Sequence, residues 1–350
     1  MIKHIVRSFG FALVLLGATG VAWAEVIKDM YSAEVPVADQ SPAELARASR
    51  LALSEVVVKV SGSEAVLRNP VIASALASAR NQVQRYSYGG DPAAPQQLAV
   101  RLLFDSAYIT GLVIEAGAPI WTASRPAVLV WLVVEDAAGR IFVNPDTAPA
   151  LVATLREEFS RRGVPLQLPL FDLVDSAALS PDQAWNLDDP ALAQASARYS
   201  LQNVLSGRLS LLANGSAQGE WSFRNGEDVI RRSATVASEA LFLRDGAALA
   251  AEAMAARYAV AATGAAEGGV TLAVTGVTAY ADYAAIIAWL EKLELVERAN
   301  VESVSGDTIT LRLLARADAT QLATTIELNK HLVPLAVAGP GAQLNYQWQR

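Results

Sequence analysis

The stretch RPAVLVWLVVED, residues 125–136, decides the fold class. It holds eight consecutive apolar residues, 127–134, between an Arg-Pro step and an acidic pair. A bilayer-spanning helix needs about 20 apolar residues, so this run is too short to cross a membrane. Its β-branched and aromatic content favours a strand that is buried on both faces. We therefore predict that it forms a central strand of an α/β layer, with Trp131 in the core.

The N-terminus has the pattern of an export signal. Basic residues precede the short apolar segment 9–21, and Ala22-Trp23-Ala24 has the small-x-small form that signal peptidase recognises. We expect residues 1–24 to be a signal peptide that is cleaved before Glu25, which places the protein in the periplasm. An uncleaved anchor is the alternative, which the shortness of the apolar segment disfavours.

Composition narrows the classes of partner. The formal net charge is −7, and without Lys3 and Arg7 the mature chain keeps 26 basic and 35 acidic residues, a net charge near −9. Such an acidic protein is not expected to bind nucleic acid or anionic lipid through charge alone. The chain has no cysteine, which excludes disulfides and a lipid anchor on an N-terminal cysteine. No later apolar run reaches spanning length, so the mature protein is expected to be soluble; a homo-oligomer remains an open alternative.

Turn-rich segments divide the mature chain into three predicted modules. An N-terminal α/β module covers 25–120, a central α/β module covers 125–260, and a third module covers 270–350, after a linker-like segment at 261–269. The third module has the order β-α-β-β-α-β, which is the ferredoxin-like arrangement. The predicted fold class is therefore α+β or α/β, built from three small mixed modules.

Local signals place several element ends. Ser41-Pro42-Ala43-Glu44 has the pattern of a capping box at the start of a helix. Asn225-Gly226 is a strong signal for a two-residue hairpin turn.

No catalytic constellation is visible in the mature chain. Its one histidine, His331, follows a predicted helix end, where an imidazolium would complement the helix dipole. Without cysteine or a second histidine, ordinary zinc sites and Ser-His-Asp or Cys-His arrangements are excluded within one chain. Neither a Walker motif nor a dinucleotide-binding glycine motif occurs. We expect no enzyme activity, no cofactor and no metal.

Carboxylates are the remaining candidate chemistry. Residues 171–190, FDLVDSAALSPDQAWNLDDP, are predicted to form a long loop. Its candidate acidic site consists of Asp172, Asp175, Asp182 and Asp188. Because paired carboxylates can hydrolyse glycosides, a carboxylate-dependent enzyme acting on a cell-wall glycan is the alternative function. Loop aspartates more often cap turns, however, and Asp189 before Pro190 has the pattern of a helix N-cap.

The same segment contains apolar residues that are candidates for a partner surface: Leu179, Pro181, Trp185 and Leu187. A long ordered loop with exposed apolar side chains is typical of interaction sites, although Trp185 has the alternative of folding back onto its own module. Trp289, on the flank of a predicted helix at 280–293, is a further candidate, with sideways packing as its alternative. The preferred function is a soluble, non-catalytic binding or assembly protein that acts on envelope protein partners.

Five segments carry a family resemblance. They are AEVPVADQSPAELARA at 33–48, VVVKVSG at 56–62, RPAVLVWLVVED at 125–136, PLFDLVD at 169–175 and NVLSGRLS at 203–210. With these segments the chain resembles an exported proteobacterial family that is known as a domain of unknown function, DUF2066. The resemblance implies no catalytic residues. More loosely, the middle segment looks like the α/β domain of periplasmic assembly factors, a fold-level analogy that favours action on envelope proteins.

Overall fold

The described part of the chain is a mixture of helices and strands. The computed structural model describes residues 24–27, 29–91, 94–136, 139–212, 214–261, 269–328, 331–335 and 342–349. Two predicted segments lie largely outside these ranges, the signal peptide (1–23 of 1–24) and the linker (262–268 of 261–269). Residues 329–330, the last two of a helix that the sequence predicts over 319–330, lie outside them as well. Helices alternate with strands in several sheets, which confirms the α+β class. No helix within the described ranges is long and apolar enough to span a membrane.

The first sheet has three strands in the order β2-β4-β3. Its strands are β2 (Ser32–Pro36), β3 (Val83–Asp91) and β4 (Ala94–Phe104), and its helices are α1 (Pro42–Ser61), α2 (Pro70–Ala77) and α3 (Ser106–Glu115). The sequence correctly predicts that α1 begins after Ser41, whose side chain accepts a hydrogen bond from the Glu44 N–H. The Glu44 carboxylate instead binds Arg47 and the Ala38 N–H, so only half of the predicted capping box forms. A separate strand pair joins β1 (Ala24–Val26) to β5 (Ser124–Pro126).

The central sheet has the order β11-β10-β9-β6-β7, and the short strand β8 also pairs with β6. Its strands are β6 (Val128–Asp136), β7 (Gly139–Phe142), β8 (Leu166–Gln167), β9 (Asn203–Leu211), β10 (Ala217–Asn225) and β11 (Asp228–Val236). The long helices α4 (Pro149–Arg162) and α8 (Glu239–Tyr258) cover one face. The opposite face carries α5 (Leu173–Ala178), α6 (Pro181–Trp185) and α7 (Asp189–Ser196).

Strand β6 is buried on both faces, as the opening stretch predicts. Val128, Val130 and Leu132 pack into the core beneath α4 and α8. Leu129 and Trp131 point the other way, into the cluster beneath α5–α7. This alternation follows from the two-residue repeat of a strand.

The β10–β11 hairpin turns one residue later than the sequence predicts. Strand β10 ends at Asn225 and β11 begins at Asp228, so the two turn residues are Gly226 and Glu227. Gly226 has φ +62°, whereas Glu227 does not lie in the positive-φ region. A glycine at the first central position is the pattern of a type II′ turn, which replaces the expected Asn-Gly turn.

The third sheet has the order β13-β14-β12-β16-β15. Its strands are β12 (Val270–Thr275), β13 (Val296–Ser305), β14 (Thr308–Ala315), β15 (Leu332–Pro334) and β16 (Leu344–Trp348), and its helices are α9 (Tyr280–Leu290) and α10 (Ala319–Glu327). A direct crossover from β14 through α10 would deliver a strand parallel to β14 and therefore antiparallel to β12. The short strand β15 takes that direction, and β16 turns back to run parallel to β12. The predicted β-α-β-β-α-β order thus gains a strand.

Each sheet with its helices is referred to below as the first, central or third unit. The buried apolar residues of the first and third units form one contiguous cluster. The central unit has a separate cluster on each face of its sheet. The segment 120–126 passes between the units, where Ile120 forms a β-bridge with Val260.

Candidate partner-binding surface

The predicted loop 171–190 consists largely of three short helices, each with its own N-cap. The Asp172 side chain caps α5, the Ser180 side chain caps α6 with a capping box from Gln183, and the Asp188 side chain caps α7. The expectation that Asp189 is the N-cap is wrong by one residue, because Asp189 is the first residue of α7. Capping satisfies backbone N–H groups that helices of this length cannot pair internally.

Asp172, the N-cap of α5, and Asp175 within α5 share one cationic partner. The Arg198 guanidinium lies 2.7 Å from Asp172 and 2.9 Å from Asp175. Hydrogen bonds from Arg198 hold the pKa of Asp172 at about 2, below its ordinary value. The buried Asp175 also accepts hydrogen bonds from the Tyr199 hydroxyl and the Phe171 N–H. Burial and then this carboxylate raise the pKa of Tyr199 to about 12.

The remaining aspartates of the segment are engaged as well. Asp182 forms an ion pair with Arg140 at 2.9 Å, and Asp188 accepts a hydrogen bond from the Ala191 N–H. Asp189 binds both Arg224 and Arg231. In the parts of the chain that the structure describes, no group of three His, Asp or Glu side chains could hold a metal ion. The geometry therefore shows capping and ion pairing rather than a pair of available catalytic carboxylates.

The predicted apolar partner residues are mostly not at the surface. Leu179 and Leu187 are 1% and 4% exposed and belong to the core beneath α5–α7, so their predicted exposure is wrong. Pro181 and Trp185 are half-buried, and the Arg140 guanidinium lies 4.7 Å from the centre of the Trp185 ring.

Trp289 in the third unit is also half-buried. Its ring packs against the shared apolar cluster of the first and third units and lies edge-on to His331, with 6.4 Å between the ring centres. His331 also lies 5.7 Å from the ring of Trp348. Of the two alternatives for Trp289, sideways packing is therefore the one observed.

Three other aliphatic side chains in this region are exposed. Leu170, Leu173 and Val174 are 69%, 89% and 59% exposed, and we name them the 170–174 patch. The sequence does not single out Leu173 and Val174, because residues 171–190 are predicted to form a loop, in which no helix face separates exposed from buried positions. The sequence signal for the exposure of Leu173 and Val174 was the Asp172 N-cap, because the first residues after a cap lie at the open end of a helix.

Hydrogen bonds to side chains hold the backbone that carries the patch. The Leu170 N–H donates to the Tyr199 hydroxyl at 2.8 Å, and the Phe171 N–H donates to the buried Asp175 carboxylate at 2.8 Å. Phe171 has φ +52°, in the left-handed region, and its ring packs 5.8 Å from the Trp131 ring. A non-glycine residue keeps such a conformation only where its surroundings enforce it. The patch is therefore presented on a preorganised backbone.

Comparison with known proteins adds a family match for the first unit. Residues 24–122 of the 350 match the model of a domain of unknown function, DUF8605. No curated protein matches the chain. This match is to a domain of unknown function other than the one that the sequence resemblance names, so the resemblance to DUF2066 stays a prediction. The match ends before the 170–174 patch.

Proposed function

We propose that this protein is an exported, non-catalytic binding or assembly protein of the periplasm that acts on envelope protein partners through the 170–174 patch. The proposal is supported by the exposure of three neighbouring aliphatic side chains on a backbone that hydrogen bonds to Tyr199 and Asp175 hold in place. An exposed apolar group with polar neighbours is typical of an interaction site.

The energetics favour a protein partner. Fully burying one leucine or valine side chain contributes about 1.5–3 kcal/mol, so covering the patch would supply several kcal/mol. The Asp172–Arg198 ion pair lies beside these residues and would form part of a polar rim. Because the backbone is already fixed, little conformational entropy would be lost when a partner docks.

The proposed location depends on the N-terminal signal pattern. Cleavage before Glu25 would leave Glu25 and Val26 in the mature chain, where they are two of the three residues of β1 that pair with β5. The proposed relationship to DUF2066 and to periplasmic assembly factors fits the same compartment. No observation favours the alternative of a glycan-directed enzyme, since the Asp172, Asp175, Asp182 and Asp188 carboxylates all serve as caps or ion-pair partners.

Site-specific photocrosslinking in living cells tests the proposal. A photoreactive residue would replace Leu173, and in a control protein it would replace Val304, which is 64% exposed on β13 of the third unit. We expect a discrete adduct with an envelope protein from position 173 and none of the same mass from position 304. Adding Leu170→Ser and Val174→Ser should abolish the adduct. An adduct that forms equally at both positions, or survives the serine substitutions, would contradict the proposal.

A further inference from the structure

Strand β11 is an edge strand of unusual regularity. It pairs with β10 over nine residues without a register shift. The other two long edge strands, β3 and β13, each have two register shifts, and the remaining edge strands have five residues or fewer. Bulges, shortness and charged side chains are the usual protection of an edge against pairing with another chain. Strand β11 has no bulge and is long, and its charged side chains are engaged in ion pairs within the chain: Asp228 with Arg257, Arg231 with Asp189, and Arg232 with Asp245 and Glu252.

Half of the β11 backbone groups face away from β10. The residues that flank a two-residue hairpin turn exchange two hydrogen bonds, and hydrogen-bonded pairs then alternate along the ladder. Asp228 is the flanking residue here, so Val229, Arg231, Ser233 and Thr235 direct their N–H and C=O groups outward. Within the described residues, no strand pairs with this outer edge.

A cleft of about 420 Å³ borders the same edge. Its walls come from β11 and from α8, and Glu64 and Arg162 also line it. The apolar lining consists of Ala234, Val236, Leu241 and Ala248. A side chain of a strand added to β11 would have room to enter this cleft.

The cleft lining holds three arginines, Arg162, Arg232 and Arg244, and three carboxylates, Glu64, Asp245 and Glu252. Arg232 binds both Asp245 and Glu252, whereas the group around Glu64 has more cations than carboxylates and favours an acidic side chain. Arg162 and Arg244 both bind the single carboxylate of Glu64, at 2.6 and 3.1 Å. Arg162 is 6% exposed, and one of its terminal nitrogens, Nη1, has no hydrogen-bond partner among the described residues. A buried guanidinium N–H without an acceptor is costly, and a carboxylate is its strongest complement.

We propose that β11 pairs with an extended segment of another protein, and that an acidic side chain of this segment enters the cleft beside Arg162 and Arg244. Main-chain hydrogen bonds would supply affinity, and the cleft would supply specificity. A second copy of this chain is a poorer occupant, because antiparallel self-pairing would bring the Arg231-Arg232 pairs of two copies together. This surface is separate from the 170–174 patch.

The test uses random nine-residue peptides displayed on phage and selected against the mature full-length chain. Enriched sequences would be synthesised, and their affinity would be measured for the unsubstituted protein and its variants. Ser233→Pro removes one outward N–H without removing a bond to β10, and Ser233→Ala keeps that N–H as the matched control. We expect Ser233→Pro to weaken binding by about tenfold or more and Ser233→Ala to leave it within about twofold.

Two further measurements keep the test decisive if Ser233→Pro does not fold. Arg244→Glu should weaken binding of the acidic peptides by about tenfold, whereas Arg298→Glu, an exposed arginine on β13, should not. Bound peptide should slow hydrogen exchange at the amides of Val229, Arg231, Ser233 and Thr235.

Several results would overturn the proposal. One is a selection that enriches no peptide, and another is that the peptides bind the Ser233→Pro and Ser233→Ala variants equally well. Slower hydrogen exchange on peptide binding at amides outside β11 would also overturn it. Sedimentation that shows a dimer disrupted by Ser233→Pro would assign the edge to a second copy instead. If peptide binding is weakened only by substitutions in the 170–174 patch, the result would support the proposed function and reject this second surface.

Discussion

Replacing Arg125 should destabilise the protein more than any substitution at its surface. Its side chain is fully buried and packs 3.8 Å from the centre of the Trp121 ring. Its guanidinium donates to five backbone carbonyls, those of Lys59, Trp121, Thr122, Arg162 and Gly163, and to the Met30 Sδ. These acceptors come from the first unit, the connecting segment and the central unit.

The location explains why a cation is stabilised there without a direct carboxylate partner. Lys59 is in the last turn of α1, and Arg162 and Gly163 end α4, so the guanidinium lies at the negative ends of two helix dipoles. Glu294 of the third unit interacts with it electrostatically and accepts a hydrogen bond from the Ala123 N–H. Burial lowers the pKa of Arg125 to about 9, so the group stays charged at neutral pH.

The expected loss can be worked out from the hydrogen bonds. In Arg125→Met, five buried carbonyls lose a donor, and each loss costs about 1 kcal/mol. The total of about 5 kcal/mol is close to the 3–5 kcal/mol typical of removing one partner from a buried charged network. Arg125→Lys keeps the charge but has at most three donors, so about half of the loss is expected.

Urea unfolding followed by tryptophan fluorescence and far-ultraviolet circular dichroism would measure this loss. Arg101→Met is the matched control, because its guanidinium is 53% exposed and its ion pair with Asp29 should contribute less than about 1 kcal/mol. Since Arg125 connects separate units, its removal should also make the two probes report different midpoints. If Arg125→Met lowers the free energy of unfolding no more than Arg101→Met does, the buried hydrogen bonds of Arg125 do not stabilise the fold as proposed.

Three further predictions follow from single contacts. The folded pKa of Asp172 is about 2, below its ordinary value, so its contribution to stability is complete above about pH 4 and is lost as the pH falls toward 2. In Asp172→Asn the melting temperature should therefore depend less on pH over that range, and an unchanged pH dependence would contradict this. Leu173→Ser should leave the melting temperature unchanged but weaken crosslinking to the partner. Trp185→Ala should lower the free energy of unfolding by about 1–2 kcal/mol and leave crosslinking intact. The reverse pattern would locate the partner-binding surface at Trp185. Gly246→Ala would place a Cβ 2.4 Å from a buried indole ring and should lower the free energy of unfolding by about 1–3 kcal/mol. Gly111→Ala, in open space on α3, should not lower it. Equal urea midpoints for the two variants would contradict this prediction.

Elements with a strong local pattern could be predicted from the sequence. The apolar run of β6 allows one interpretation, because it is too short for a membrane and too β-branched for a surface helix. The start of α1 is fixed by Ser41 and Pro42, and its end by Gly62, which adopts φ +77°. In each case a few neighbouring residues carry the physical cause.

The candidate site could not be predicted in the same way. Helices α5 and α6 have six and five residues, too few for a 3.6-residue repeat to emerge, so only their caps are visible in the sequence. The positions of Leu179 and Leu187 in the chain do not reveal that both are buried. Asp175, two residues after the exposed Leu173, binds Arg198 and Tyr199, which lie more than 20 residues later in the chain, and no local pattern reveals such a contact. The three-residue strand β15 is likewise specified by its partner β16 rather than by a pattern of its own.

Arg125 shows why the connection between units is the hardest feature to read from the sequence. It is the first residue of the stretch that decides the fold. A sequence pattern of charges can suggest partners for an arginine only where those partners are carboxylates. All five oxygen acceptors of Arg125 are main-chain carbonyls. Every residue has a carbonyl, so no sequence pattern marks the ones that helix ends leave unpaired. The partners of Arg125 are therefore fixed only when α1 and α4 end at the same place. For that reason its substitution tests the arrangement of the units, whereas substitutions within β6 test only the central sheet.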